Sequence, residues 1–198
     1  MATAPPGRRP GPLTAIESDA EGIGATVACD EALGGLVRTL AAAKPGGRAL
    51  ELGTGVGVGT AWLLAGLDPT ACLDTLDDDT RRLDVARAHH GNDPRVTVYE
   101  TDVGAWLEER VDGPGYDLVL ANTRAGRFTH LDEALSLVER GGFYVVGDLA
   151  CHPPGATLPE DHCLEAEALL SDLESRAGWE ALPLLGWSRG VMVLVRRQ

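Results

Sequence analysis

Apolar residues at Leu33, Leu36, Val37 and Leu40 recur at the three-and-four spacing of one helix face, and Pro45-Gly46-Gly47 stops the run, so 27–44 is predicted to be helical. Short continuous apolar runs follow at 49–52, 71–76, 96–99, 116–121 and 143–146. Each is too short for a typical helix, and the pattern is that of strands buried on both faces. Helical stretches at about 60–66, 80–90, 103–110 and 129–140 separate them. Strands that alternate with helices in this way imply a parallel sheet with crossover connections.

After Asp148 the pattern changes. Residues 151–160 hold Pro153, Pro154, Gly155 and Pro159, followed by a predicted helix at 162–176 and strands at 180–186 and 190–196. Ser188-Arg189-Gly190 reads as a hairpin turn that closes the sheet with an antiparallel edge. The expected fold is therefore α/β: a three-layer sandwich around a seven-stranded, mostly parallel sheet with an antiparallel C-terminal strand. Prolines at 5, 6, 10 and 12 make residues 1–20 a flexible N-terminal tail, which leaves 21–198 as a single domain.

Composition narrows the function. A chain of 198 residues, 44% of them apolar, suits one domain with its own core. Thirty acidic residues against 17 basic ones give a formal charge of −13, which repels phosphate backbones and anionic headgroups, so neither nucleic acid nor a membrane is an expected partner. Lys44 is the sole lysine, so a lysine base or Schiff base has almost no candidate. The four cysteines are too scattered for a disulfide framework, and no 18-residue apolar run or signal-like segment occurs; a cytoplasmic protein with reduced thiols is expected.

The strongest chemical signal is Glu51-Leu52-Gly53-Thr54-Gly55-Val56-Gly57, an acid at a strand end followed by alternating glycines and then, at Gly59 and Thr60, a helix N-terminus. Such a turn lets a ligand approach the backbone and offers N–H groups to a carboxylate or phosphate. The dinucleotide fingerprint fails in both registers, since Val58 or Thr60 falls where the third glycine belongs. Asp77, 24 residues past Gly53, ends the second strand, where a carboxylate can accept from both ribose hydroxyls. Asp78 and Asp79 suit helix capping, and Asp102 is equally placed to cap a helix or to accept from an adenine amino group.

Together with Thr101-Asp102, Tyr116-Asp117-Leu118-Val119-Leu120 and Gly141-Gly142-Phe143-Tyr144-Val145-Val146, these segments resemble the successive motifs of class I S-adenosylmethionine-dependent methyltransferases. Leu50-Glu51-Leu52-Gly53-Thr54-Gly55 and the segment after the fourth strand resemble, more narrowly, small bacterial O-methyltransferases related to catechol O-methyltransferase. The resemblance implies a Rossmann-like sheet of order 3-2-1-4-5-7-6, with S-adenosylmethionine as cofactor. By the same resemblance Glu51 and the glycines line the methionine end, Asp77 binds the ribose, Asp102 holds the adenine amino group and Val103 stacks nearby. A small-molecule acceptor, methylated at a hydroxyl oxygen, and a possible homodimer are further implications.

The same relatives hold Mg²⁺ through an aspartate after the fourth strand and an Asp-Asn pair after the fifth, with a lysine as base. Here those positions are Asn122, Gly147-Asp148 or Asp148-Leu149, and Ala125. One carboxylate with one amide is a thin shell for a hard cation, so no metal site is expected and a divalent metal is doubtful. Asp148 is the favoured proton acceptor, His152 a second candidate, and Asn122 a positioning residue. Arg124 and Arg127 either recognise an acidic substrate or are solvated charges. Cys151-His152 and His162-Cys163 match no structural zinc spacing, and His89 and His90 suit the end of a helix. Two other readings stay open: a cofactor-binding protein that has lost catalysis, and a dinucleotide oxidoreductase.

Overall fold

The computed structural model describes residues 9–27, 29–110, 113–151 and 161–197. The chain runs α1 (Leu13–Gly22), α2 (Glu31–Ala42), β1 (Arg48–Leu52), α3 (Val58–Gly66), β2 (Cys72–Asp77), α4 (Thr80–His90) and β3 (Val96–Glu100). It continues with α5 (Val103–Glu108), β4 (Tyr116–Ala121), α6 (Leu131–Ser136), β5 (Val138–Val146), α7 (His162–Ser175), β6 (Trp179–Leu184) and β7 (Val191–Arg196). The sheet order is β3-β2-β1-β4-β5-β7-β6. Strands β1 to β5 pair in parallel, whereas β7 runs antiparallel to both β5 and β6. This is the expected Rossmann-like sandwich in the expected strand order, with β7 one place in from the edge that β6 forms.

Alternation along each strand divides the core. Ala49, Leu73, Leu118, Leu120 and Val145 face a cluster built with α1, α2 and α3, while Leu50, Leu52, Leu76, Val119, Ala121, Tyr144 and Val146 face α5, α6 and α7. Both faces are apolar because helices cover both, which is why these strands read as short, largely hydrophobic runs without strict alternation. Glu51, 1% exposed near the end of β1, is a polar exception on the Ala49 face, turned toward α3.

Two expectations are corrected. The tail predicted over 1–20 holds a helix from Leu13 onward, with Leu13, Ile16 and Ala20 buried at i, i+3 and i+7 against the α2–α3 side of the core. Pro12 is its N-cap, and the Pro10 carbonyl accepts from Leu13 N–H at 3.3 Å, so these two prolines lead into the helix. Strand β5 begins at Val138, five residues before the apolar run, and α6 is correspondingly short. Gly141, at φ 74°, and Gly142 lie within the strand, and the pairing with β4 shifts register between Tyr116 and Leu118. The glycine pair is an irregularity inside a strand and does not break it.

Aspartates start several helices. Asp30 accepts from the N–H groups of Ala32 and Leu33 at 3.1 and 2.9 Å, Asp79 from Arg82 at 3.1 Å, and Asp102 from Ala105 at 2.7 Å. Helix α3 differs, since Gly57 at its start brings no capping side chain and the first-turn N–H groups stay available. Among the described residues no helix is long and apolar enough to cross a membrane.

Docking of α1 is testable. Ile16→Ala should lower the unfolding free energy by about 2–4 kcal/mol through the cavity it leaves, against roughly 0.5 kcal/mol or less for the exposed Glu21→Ala. Equal, small effects of both changes in urea titrations would show that α1 does not belong to the folded core.

Candidate functional site

The C-terminal ends of β1, β2 and β4 meet around the glycine turn. Gly53 leaves β1 at φ 99°, and a Cβ there would stand 3.0 Å from Thr123 Cβ and 3.2 Å from the Asn122 carbonyl carbon. Only glycine suits both that dihedral and that close passage. The backbone N–H groups of Gly53 and Thr54 both donate to the Leu76 carbonyl at 2.9 Å, tying the turn to the end of β2. A Cβ on Gly55 would meet nothing within 4 Å, so the turn is open on its outer side.

Glu51 lies beneath this turn. Its Oε2 accepts from Thr60 Oγ1 at 2.5 Å and from Thr75 Oγ1 at 2.7 Å, and Thr54 Oγ1 stands 2.6 Å from Thr75 Oγ1. Its Oε1 is buried without a partner. A Cβ on Gly59 would lie 2.1 Å from that oxygen, so α3 can pass only as glycine. Burial pushes the Glu51 carboxyl up to about 7, with the two threonine hydroxyls opposing and nearby Asp77 adding to the rise.

Asp77 closes the other side, 8% exposed, with Oδ2 accepting from Gly55 N–H at 2.7 Å and Oδ1 from Asp79 N–H at 3.0 Å. Glu51, Gly53, Thr54, Gly55, Gly59, Asp77 and Asn122 line one cleft of about 180 Å³, with Thr26, Val27 and Cys29 from the segment before α2 as a further wall. A larger hollow of about 310 Å³, around Ser136, Arg140, Gly178 and Trp179, contains none of these groups. The smaller cleft is the candidate site because the buried carboxylates and the open turn converge there.

The remaining expected residues lie around it. Thr60 holds Glu51 from behind, and Gly57 starts α3. Asp102 caps α5 and Val103 is buried beside it; neither lines the cleft. Asn122 lines the cleft, and its Oδ1 is buried without a partner. Asp148, at φ 62°, has Oδ1 2.7 Å from Arg189 Nε and Oδ2 3.6 Å from Arg127 Nη1. These partners leave little of Asp148 free to take a proton, which counts against the expected base role. His152 lies outside the described residues.

The same contacts bear on metal. A dication on Asp148 would face two guanidiniums already at its oxygens, and Asn122 contributes no charge, so the residues at the ends of β4 and β5 do not fit Mg²⁺. Among the described residues no three His, Cys, Asp or Glu side chains form a group that could hold a metal ion.

Other site residues escaped the sequence reading. His90, expected only to complement a helix end, is 3% exposed and its Nε2 lies 2.9 Å from the Gly57 carbonyl, against the back of the glycine turn. Burial pushes this imidazole down from its usual value. Thr75 holds Glu51, and Arg189 reaches Asp148 from the hairpin between β6 and β7. A threonine inside a strand and an arginine beside a turn glycine carry no local signal of such roles.

No protein-family model matches the chain. Among named relatives, a Mycobacterium ulcerans protein named as an O-methyltransferase is 30% identical over 184 residues, 88% of this chain and 79% of the relative. Among solved structures, the cofactor-bound protein Rv0187 from MTB superposes with a TM-score of 0.80 at 25% identity, covering 94% of this chain and 89% of the other. The O-methyltransferase TomG of Streptomyces achromogenes, in complex with S-adenosylmethionine, matches in fold with a TM-score of 0.79 at 19% identity, covering 95% and 90%.

The buried carboxylate predicts a pH dependence. Because the folded value of about 7 lies above the ordinary 4.5, the folded chain holds this proton more tightly than the unfolded one. The stabilisation is complete below pH 4.5 and is lost as pH rises through 7. Glu51→Gln keeps the hydroxyl contacts without the proton, so its stability relative to wild type should rise by up to about 3 kcal/mol between pH 4 and pH 8. Denaturant titrations that find the same difference at both pH values would contradict this.

Proposed function

The chain belongs to the S-adenosylmethionine-dependent O-methyltransferase family, and on that premise we propose that it binds S-adenosylmethionine in the glycine-turn cleft and methylates a hydroxyl oxygen of a small molecule. The observation that carries this reading is the pairing of two buried carboxylates, Glu51 and Asp77, across one open glycine turn. Each Asp77 oxygen accepts a single backbone N–H, which leaves each with capacity to accept from a ribose hydroxyl. Glu51 Oε1, orphaned and facing the first turn of α3, suits the cationic methionine end. The open side of Gly55 gives the nucleoside a backbone it can approach closely. When bound, the cofactor supplies a methyl group made electrophilic by its sulfonium.

The chain's own contribution is then positioning. Asn122 lines the cleft beside Gly53 and offers an unpartnered amide oxygen where β4 ends. Holding the acceptor oxygen in line with the methyl group removes much of the entropic part of the barrier, and little covalent chemistry is left for side chains. The resemblance gives the adenine end to Asp102 and Val103, just past β3 at the start of α5. We place the protein in the cytoplasm, and read it as a homodimer, on the resemblance and the cysteine usage.

A second reading, cofactor binding without turnover, is favoured by the engagement of Asp148 with two arginines. Release of S-adenosylhomocysteine from S-adenosylmethionine in a mixed panel of hydroxylated acceptors separates the two.

S-adenosylhomocysteine should bind the purified protein and raise its melting temperature by mass action. Asp77→Ala should weaken that binding by about 1.5–3 kcal/mol, through loss of a charged hydrogen-bond acceptor. Calorimetry that finds micromolar binding of a nicotinamide dinucleotide and none of S-adenosylhomocysteine would refute the assignment. Turnover should also persist in excess EDTA, since two guanidiniums stand where a cation would bind; loss in EDTA that Mg²⁺ restores would contradict that expectation.

A further inference from the structure

We propose that Arg127 selects and orients the methyl acceptor, and that the acceptor presents to it an anionic oxygen, either a carboxylate or a phenolate. This rests on the methyltransferase reading and specifies its substrate class.

Strands β4 and β5 pair in register at Ala121 and Val146, so Asn122 and Gly147 leave the sheet side by side. A Cβ on Gly147 would stand 3.0 Å from Asn122 Oδ1, which places Gly147 and Asp148 next to the cleft that Asn122 lines. The loop after β4 turns tightly here: Phe128 and Thr129 N–H both donate to the Arg124 carbonyl, and the buried Tyr144 hydroxyl donates to Gly126 O. That turn sends Arg127 back toward β5, where its Nη1 donates to the Gly147 carbonyl at 3.1 Å and its guanidinium lies 4.8 Å from the Phe128 ring centre.

Arg127 is under-committed for so enclosed a cation. Its side chain is 12% exposed, and its Nε is buried without a partner. Asp148, the carboxylate that pairs with it among the described residues, is shared with Arg189, whose Nε holds Oδ1 at 2.7 Å. The adjoining Arg124 is matched by Glu165. Among the described residues, Arg127 and Arg189 thus share one carboxylate beside the cleft, in a chain whose formal charge is −13. A desolvated guanidinium with free donors favours an oxyanion, for which its planar fork is suited.

The chemistry agrees with this placement. An acceptor that arrives as an oxyanion needs no general base: its lone pair forms the bond to the methyl carbon, the carbon–sulfur pair returns to sulfur, and the sulfonium becomes a neutral thioether. No proton leaves in that step. This accounts for a site in which Asp148 is tied to two arginines and residue 125 is alanine. For a phenol, the neighbouring guanidinium favours the ionised form.

The test is calorimetry in saturating S-adenosylhomocysteine at pH 8, with benzoate and 4-nitrophenolate as anionic probes and benzamide as their neutral counterpart. Wild type should bind at least one anion about tenfold or more tightly than benzamide, and the two anions distinguish carboxylate from phenolate recognition. Arg127→Gln should abolish the preference and leave S-adenosylhomocysteine affinity within about twofold, while Arg127→Lys retains part of it. Equal or absent binding of all three probes to wild type, or an unchanged preference in Arg127→Gln, overturns the proposal. If Arg127→Gln does not melt cooperatively, the wild-type comparison decides alone. Wild type that fails to bind S-adenosylhomocysteine overturns the cofactor reading instead.

Discussion

A carboxylate buried at the end of the central strand sets the terms for everything around it. Glu51 is enclosed by β1, β2 and α3, and a charge in that position is tolerable only if hydroxyl donors reach it and no carbon crowds it. Thr60 and Thr75 supply the donors, and Gly59 supplies the space. Three elements are thus tied to one side chain, and the turn between β1 and α3 has to run above it. Even so, Oε1 stays unpartnered and the carboxyl is pushed up to about 7. A buried acid so incompletely satisfied marks this corner of the fold as the candidate binding site, where a cationic ligand would supply the missing partner.

From that corner the site divides by charge. The glycine-turn end carries Glu51, Asp77 and Asp78, with Arg82 paired to Asp79 at its edge, whereas Arg127 and Arg189 meet on Asp148 past the ends of β4 and β5. A sulfonium cofactor and an anionic acceptor would each find the sign that suits it, and the two would meet near Asn122. The arginine pair also gives a physical reason for the departures from the catechol-type pattern. With guanidiniums at Asp148, a carboxylate at residue 122 or a lysine at residue 125 would serve a different arrangement.

The backs of the functional loops are held as carefully as their fronts. His90 packs under Gly57, and Ser188 Oγ donates at 2.8 Å to Asp30, the residue that starts α2. Through that contact the β6–β7 hairpin is fastened to the first layer of helices, which fixes the point from which Arg189 reaches Asp148. None of these partners is near its contact in the chain: Ser188 and Asp30 are 158 residues apart.

Local rules carried a large part of this protein. Strands buried on both faces appear as largely apolar runs, a tight turn at positive φ requires glycine, and an acid at the end of the second strand falls at the carboxyl edge of the sheet beside that turn. These features depend on neighbours within a few residues or on strand position, and so they are legible in sequence. Helix α1 was missed because its prolines argued for a tail, while only its docking surface supplies the burial that makes Leu13, Ile16 and Ala20 a core face. Arg189, His90 and Thr75 became site residues through contacts across the sheet, and Asp148 acquired guanidinium partners where position alone suggested a base. The glycine-turn end was written in the chain because its backbone path is a property of one turn; the Arg127–Asp148–Arg189 end was decided by tertiary structure because its charge is a balance among residues that meet only after folding.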